Sequence, residues 1–154
     1  MNFVKSLLHN IGVLIVGFAV AFLGVALDSL LGLTQFKSHM AITAAWLLLA
    51  IGFLLRVWAT FHFYERRMKV ISLVPQEKLI TSGPYRFSRN PLYLGGNVFI
   101  FLGAALFLGT PAGILLTAMN IPLADWMIRR EEKQLEREFG EEWLRYKSQV
   151  RRWF

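Results

Sequence analysis

With 154 residues, 55% of them hydrophobic and 14% aromatic, and a mean hydropathy of +0.45, the chain is too apolar for an ordinary soluble domain and reads as one membrane domain over residues 1–154. The absence of cysteine excludes disulfides, thiol nucleophiles and cysteine-ligated metal. The net charge of +7 is accounted for by a basic face beside anionic lipid headgroups, so nucleic acid is an unnecessary partner.

From Ser6 to Leu27 there is no charge, and Ser38 to Leu55 is also uncharged. Each run is close to the roughly 20 residues that cross a hydrocarbon core. Ala19-Val-Ala21 has the small residues of a leader-peptide cleavage site. The apolar run continues past it to Leu27 and is preceded by the single Lys5, so a retained span is expected. Asn90 to Ala124 is one uncharged run, too long for a single crossing at about 1.5 Å per residue. Turn residues interrupt it at Gly109-Thr110-Pro111, which predicts a helical hairpin. The expected spans are 11–27, 41–63, 91–108 and 112–128, an all-α, multi-pass fold.

The connector between the second and third spans is irregular, with Val74-Pro75 and Thr81-Ser82-Gly83-Pro84; loops of this kind in compact proteins usually carry function. After the fourth span Leu135, Phe139, Trp143, Tyr146 and Val150 recur at helical spacing against Glu136, Arg137, Glu141, Arg145 and Lys147. This predicts an amphipathic helix that lies on the interface or covers the loop. Arg151-Arg152-Trp153-Phe154 has the basic and aromatic character of an interfacial anchor. With four spans, the amino end, the region of residues 65 to 91 and the tail from about Arg129 share one side. They hold 15 of the 17 Lys and Arg residues, all except Lys37 and Arg56. The positive-inside rule makes that side, with both chain ends, cytoplasmic.

Several residues in these segments have both structural and chemical readings. Asn90-Pro91 fits an N-cap followed by proline in the first helical turn, while free amides at such a start, with Arg89 beside them, can hold an anion. Glu131 and Glu132 are adjacent on a helix, so one can face a pocket while the other faces water, and a charge pair in an amphipathic tail is usually solvated surface. In the chemical reading, a carboxylate there holds the hydroxyls or an ammonium of a ligand. Tyr85 and Tyr93 suit stacking on a ring or facing a cation, or membership of an interfacial belt. Arg56 and Asp125 are charges in or near apolar spans, where an unpaired charge is expensive. They are expected to pair, with a substrate role or snorkelling of Arg56 as alternatives. His62 reads as structural, and His9, His39 and His62 have no metal-ligand spacing.

Gly83-Pro84-Tyr85, Arg89-Asn90-Pro91-Leu92-Tyr93-Leu94-Gly95, Glu131-Glu132, Leu135, Phe139-Gly140 and Trp143-x-x-Tyr146 together resemble the isoprenylcysteine carboxyl methyltransferase and phospholipid methyltransferase superfamily. The resemblance covers about residues 75 to 154. It implies a multi-span enzyme that binds S-adenosyl-L-methionine on the cytoplasmic side, between residues 77–93 and 129–146, with a lipid-like or small amphiphilic acceptor entering from the bilayer. Carried over by residue, Leu79, Ile80, Tyr85, Asn90, Pro91, Leu92, Tyr93 and Glu131 would bind the cofactor, with Arg89 and Glu132 as catalytic candidates. Asn90 stands where prenylcysteine enzymes have His, and other members have Asn at this position. Met127 stands one turn before the paired acids, where those enzymes carry a substrate-binding Arg, which argues against a prenylcysteine carboxylate as acceptor. The membrane would be a cell membrane, or the endoplasmic reticulum in a eukaryote. An NADPH-dependent membrane reductase of related fold and a non-enzymatic lipid-binding or scaffold protein are the alternatives.

Overall fold

The computed structural model describes residues 2–66 and 78–153; Val74-Pro75 of the connector, Glu77 and Phe154 lie outside the described residues. Four long helices take up the apolar runs: α1 is Asn2–Leu31, α2 His39–Glu65, α3 Pro91–Leu108 and α4 Pro111–Gln149. All four are long and apolar enough to cross a membrane, and no strand occurs among the described residues. A helix pairs its backbone polar groups within its own segment, which is what a hydrocarbon surround demands.

The helices outrun the expected spans where polar residues find partners. α1 extends towards the amino end through Ser6 and Asn10, both fully buried. Ser6 Oγ donates to the Val57 carbonyl at 2.9 Å and also hydrogen-bonds the Thr60 hydroxyl, while Asn10 Nδ2 donates to Thr60 Oγ1 at 2.8 Å. At its other end α1 runs on through Asp28, whose Oδ1 accepts from the Ala112 amide at 2.9 Å. A carboxylate at the start of α4 meets the free amides and positive dipole end of that helix. α1 is thereby bonded to both α2 and α4.

α3 and α4 form the expected hairpin. Gly109 takes a left-handed conformation, and Thr110 caps α4, its Oγ1 accepting from the Gly113 amide at 3.0 Å; such a cap meets one of the orphan amides of the first turn. Within α3, Leu94–Ile100 is wound as a π-helix. Asn97 Nδ2 on this stretch donates to Asn120 Oδ1 of α4 at 2.7 Å, a polar link between helices of the kind that holds membrane bundles together. Small residues fill the centre of the bundle, with Ala45, Ala59, Ala104 and Ala105 wholly buried, while Leu8, Met40, Trp46, Leu54 and Leu115 face outward. That outward apolar surface is what lipid would cover.

α4 does not end with its apolar part. It continues past Ile128 as far as Gly140, where φ 50° and ψ −119° break the helix. This backbone geometry lies outside the regions open to residues with a Cβ. The chain reverses there, and residues 141–149 return as a helical arm against the loop of residues 78–90. Of the two positions expected for the amphipathic helix, covering the loop is the one adopted.

Candidate active site

The loop ahead of α3 is shaped by its own turn residues. Pro84 starts a single 3-10 turn, Gly83–Arg86, which buries Tyr85 edge-on against Phe63 of α2, ring centroids 6.0 Å apart. His62 packs over Gly83, and Arg66 reaches from the end of α2 to Ser82 Oγ at 3.0 Å. The returning arm closes the other side: the Tyr146 hydroxyl donates to the Tyr85 carbonyl at 2.7 Å, and the Arg89 amide donates to the Arg151 carbonyl at 3.0 Å. Burial raises the pKa of both Tyr85 and Tyr146 above the ordinary phenol value, so each remains a neutral hydroxyl donor at physiological pH.

Asn90 occupies the N-cap position of α3 without capping it. Its side chain makes no cap hydrogen bond; Nδ2 donates to the Arg152 carbonyl at 3.2 Å, and its amide donates to Ser88 Oγ at 3.1 Å. The docked arm places a carbonyl beside the side chain, and this partner displaces the expected cap. Arg89 also departs from the anion-binding expectation. Its guanidinium makes two hydrogen bonds to Glu132 Oε1, at 3.1 and 2.9 Å, and two more to the carbonyls of Lys147 and Val150 at the end of the arm. Cations are favoured at a helix C-terminus, where carbonyls lack intrahelical partners.

Glu132 is the centre of this clamp. Its Oε1 accepts from Arg89 and from Arg152 Nε, and its Oε2 accepts from Arg152 Nη2 at 2.7 Å. The Arg89 and Glu132 side chains are 8% and 6% exposed, so this is a buried ion pair and not surface charge. Burial alone would raise the Glu132 pKa, but hydrogen bonds and charge from Arg152 and Arg89 outweigh it and hold the carboxyl below its usual range. Arg152 also pairs with Asp125 Oδ1 at 3.2 Å, and Asp125 Oδ2 accepts from Arg129 at 2.7 Å. The expected Arg56–Asp125 pair is therefore absent: Asp125 faces the arm, and Arg56 points into the contact between α1, α2 and α3.

One cavity of about 380 Å³ runs between these parts. All ten residues singled out from the sequence line it: Leu79, Ile80, Tyr85, Arg89, Asn90, Pro91, Leu92, Tyr93, Glu131 and Glu132. Both paired acids border the cavity, Glu132 buried and Glu131 half-buried. The folding back of the arm covers the side of the helix that would otherwise be wet. Glu131 Oε1 accepts from the Tyr93 hydroxyl at 2.6 Å, a short charge-assisted bond that fixes both groups at the cavity wall. Tyr85 Oη and Trp143 Nε1 are buried without a partner, and both residues line the cavity. Towards the apolar part of the bundle the lining passes to Val13, Val16 and Phe101.

The model for the family described as phospholipid methyltransferase matches residues 40–142, well over half of the chain, from the start of α2 to just past Gly140. The chain belongs to this family. Family membership supports methyltransferase activity in a membrane setting. No curated protein and no solved structure gives a significant match. The matched segment contains all ten wall residues singled out from the sequence, but it omits α1 and the end of the arm. Those omitted parts supply Tyr146, at the edge of the segment expected to hold the cofactor, and His9, Asn10 and Arg152, which were not placed in the site from sequence. Arg152 was read as part of an interfacial anchor, and no spacing signals its tie to Glu132. Ser6 and Asn10, four residues apart in an apolar run, were a readable sign of a polar contact on one helix face.

Proposed function

We propose that this protein transfers the methyl group of S-adenosyl-L-methionine to a lipid-like or small amphiphilic acceptor at the cytoplasmic face of a membrane. The observation that carries the reading is the single cavity that joins the loop of residues 78–93 to Glu131 and opens onto apolar helix surface at Val13, Val16 and Phe101. A polar ligand and an apolar one can meet there. The basic residues cluster beside the cavity's polar end, which supports a cytoplasmic position for that end by the positive-inside rule.

The wall suits the group chemically. Tyr85 Oη and Trp143 Nε1 are donors without partners, and such buried groups favour a ligand acceptor over an empty wall. Glu131 suits the cofactor's ammonium or ribose hydroxyls, held in place by Tyr93. The apolar groups of Leu79, Ile80 and Leu92 suit the adenine and exclude water. When bound, the sulfonium supplies an electrophilic methyl: its carbon–sulfur bond breaks as the acceptor's lone pair forms the new bond, leaving a thioether. The protein's part is alignment and water exclusion. Glu132, saturated by two arginines, is a positioning residue together with Arg89; the two set the arm on the cavity. For an amine acceptor, Glu131 is the carboxylate placed to receive the proton.

Thermal unfolding of the purified protein in non-ionic detergent tests the reading, with S-adenosylmethionine, S-adenosylhomocysteine, NADPH or no ligand. Ligand at a hundredfold its Kd stabilises by about 2.7 kcal/mol, so a rise with the two adenosyl compounds alone is expected, weakened at least tenfold in affinity by Glu131→Ala or Tyr93→Ala. A rise with NADPH alone would replace the reading with the reductase. No rise with any compound would leave a binding or scaffold role.

A further inference from the structure

Arg56 is a buried cation that the methyl-transfer reading does not use. It lies on α2 in an apolar stretch and is 8% exposed. Its guanidinium contacts are all to neutral groups: Nε donates to Asn10 Oδ1 at 2.8 Å, Nη1 donates to the Leu92 carbonyl at 2.6 Å, and Nη2 is 3.4 Å from His9 Nε2. Among the described residues no carboxylate pairs with it. The contrast with Arg89 is direct, since both line the same cavity and Arg89 is neutralised by Glu132. A full charge inside an apolar span is costly unless something compensates it. The surrounding chain is cut to admit this side chain: a Cβ on Gly95 would lie 2.7 Å from Arg56 Cγ, and one on Gly96 would lie 2.8 Å from Nη1. His9 and Arg56 thus form a donor-rich patch in the cavity wall, next to Val13 and Val16.

We propose that Arg56, assisted by His9 and positioned by Asn10, binds the anionic group of the acceptor, a carboxylate or phosphate on an amphiphile. The inference rests on the methyltransferase reading for the word acceptor, but the anion site stands on the cavity alone. An arginine fork matches the paired oxygens of a carboxylate or phosphate, and a ligand anion supplies the missing counter-charge. The position also constrains the acceptor. Arg56 holds the carbonyl of Leu92, the residue next to Tyr93, so the anionic group would lie beside the stretch of wall proposed for the cofactor. His9 and Asn10 lie outside the segment matched by the family model, so this recognition is a property of the whole chain with α1.

The test uses the full chain in dodecyl maltoside, with oleate and lysophosphatidate as anionic probes and monoolein as the neutral one. S-adenosylhomocysteine and 5′-methylthioadenosine, which lacks the amino-acid carboxylate, are the cofactor arm. Wild type is expected to bind the anionic probes at least tenfold more tightly than monoolein. Arg56→Gln should remove that preference and keep S-adenosylhomocysteine affinity within threefold. Arg56→Lys keeps the charge without the fork, and should weaken the anionic probes at least threefold; it carries the comparison if the Gln variant does not fold. No headgroup preference in wild type, or wild-type binding of anionic probes in either folded variant, would overturn the proposal. So would loss of S-adenosylhomocysteine binding in the Gln variant with 5′-methylthioadenosine binding unchanged, because the anion would then be the cofactor's carboxylate. Preference for the anionic probes with no adenosyl binding at all would sink the methyltransferase reading and leave the anion site standing.

Discussion

Glu132→Gln removes the negative charge at the centre of the clamp while keeping its shape, and its cost follows from the geometry. The carboxylate neutralises Arg89 and Arg152 through four hydrogen bonds, and the Arg89–Glu132 pair is more than nine-tenths buried. Breaking a buried pair by neutralising one partner costs about 3–5 kcal/mol, because the other charge remains buried without compensation. The amide still offers one oxygen, and Arg152 is 24% exposed and retains Asp125, so the lower end, about 3 kcal/mol, is expected. For a chain of this size that is a fall of ~6–12 °C in Tm.

Glu132 also has a pH signature. Its folded pKa lies below the ordinary value of 4.5, so its contribution is fully present above that value and is lost as pH falls through the folded pKa. Thermal melts of wild type and Glu132→Gln in dodecyl maltoside, run from pH 7 down to pH 3, measure both effects. The gap between the two proteins should be constant above about pH 5 and narrow below it. A Gln variant that melts within 1 °C of wild type at pH 7, or a gap that widens on acidification, would refute the assignment of Glu132 as the ionised centre of the clamp.

Three further outcomes are expected. Tyr93→Phe deletes the hydroxyl that donates to Glu131 and should weaken S-adenosylhomocysteine binding about tenfold, since hydrogen bonds to charged groups contribute roughly 1.5–3 kcal/mol; calorimetric titration reads it, and unchanged affinity removes Tyr93 from the site. Gly140→Ala puts a Cβ on a residue at φ 50° and ψ −119°, a strain of about 1–3 kcal/mol. Nothing crowds that Cβ, so the effect is on the backbone alone and should appear as faster tryptic cleavage of the arm at Arg145 and Lys147. Asp28→Ala leaves the Ala112 amide without its acceptor and should destabilise the bundle by about 1 kcal/mol, lowering Tm without changing cofactor affinity.

The uncharged runs specified the number of helices because crossing hydrocarbon demands length and apolarity, both countable in a sequence. The hairpin turn was legible for a similar reason, with Gly109 and Thr110 each needed locally. The cavity wall was legible through the resemblance, since Gly83-Pro84-Tyr85 and Arg89 to Tyr93 belong to one continuous segment. What could not be read was any partner set by the return of the arm. Gly140 was visible, but its φ of 50° depends on docking that joins residues more than 40 positions apart. Asn90 and Arg89 were read by local rules for a helix start, and a distant carbonyl and carboxylate overrode both. The Arg56–Asp125 pair failed on rotation about the helix axis: depth in the membrane can be counted along a helix, whereas facing depends on how neighbours pack.

The arrangement of arginines divides the cavity into two chemically different ends. At the arm end, Arg89 and Arg152 are satisfied by Glu132 and Asp125, so their charge is spent on holding the arm over the loop. At the bundle end, Arg56 is held by an amide oxygen, a carbonyl and a histidine ring, which fix its direction without cancelling its charge. Closing the cavity and recognising an anion are thus assigned to different side chains. Because the clamp shares no residue with the Arg56 patch, loosening the arm and neutralising Arg56 should perturb different ligands, and that separation is what binding measurements on the two sets of variants can resolve.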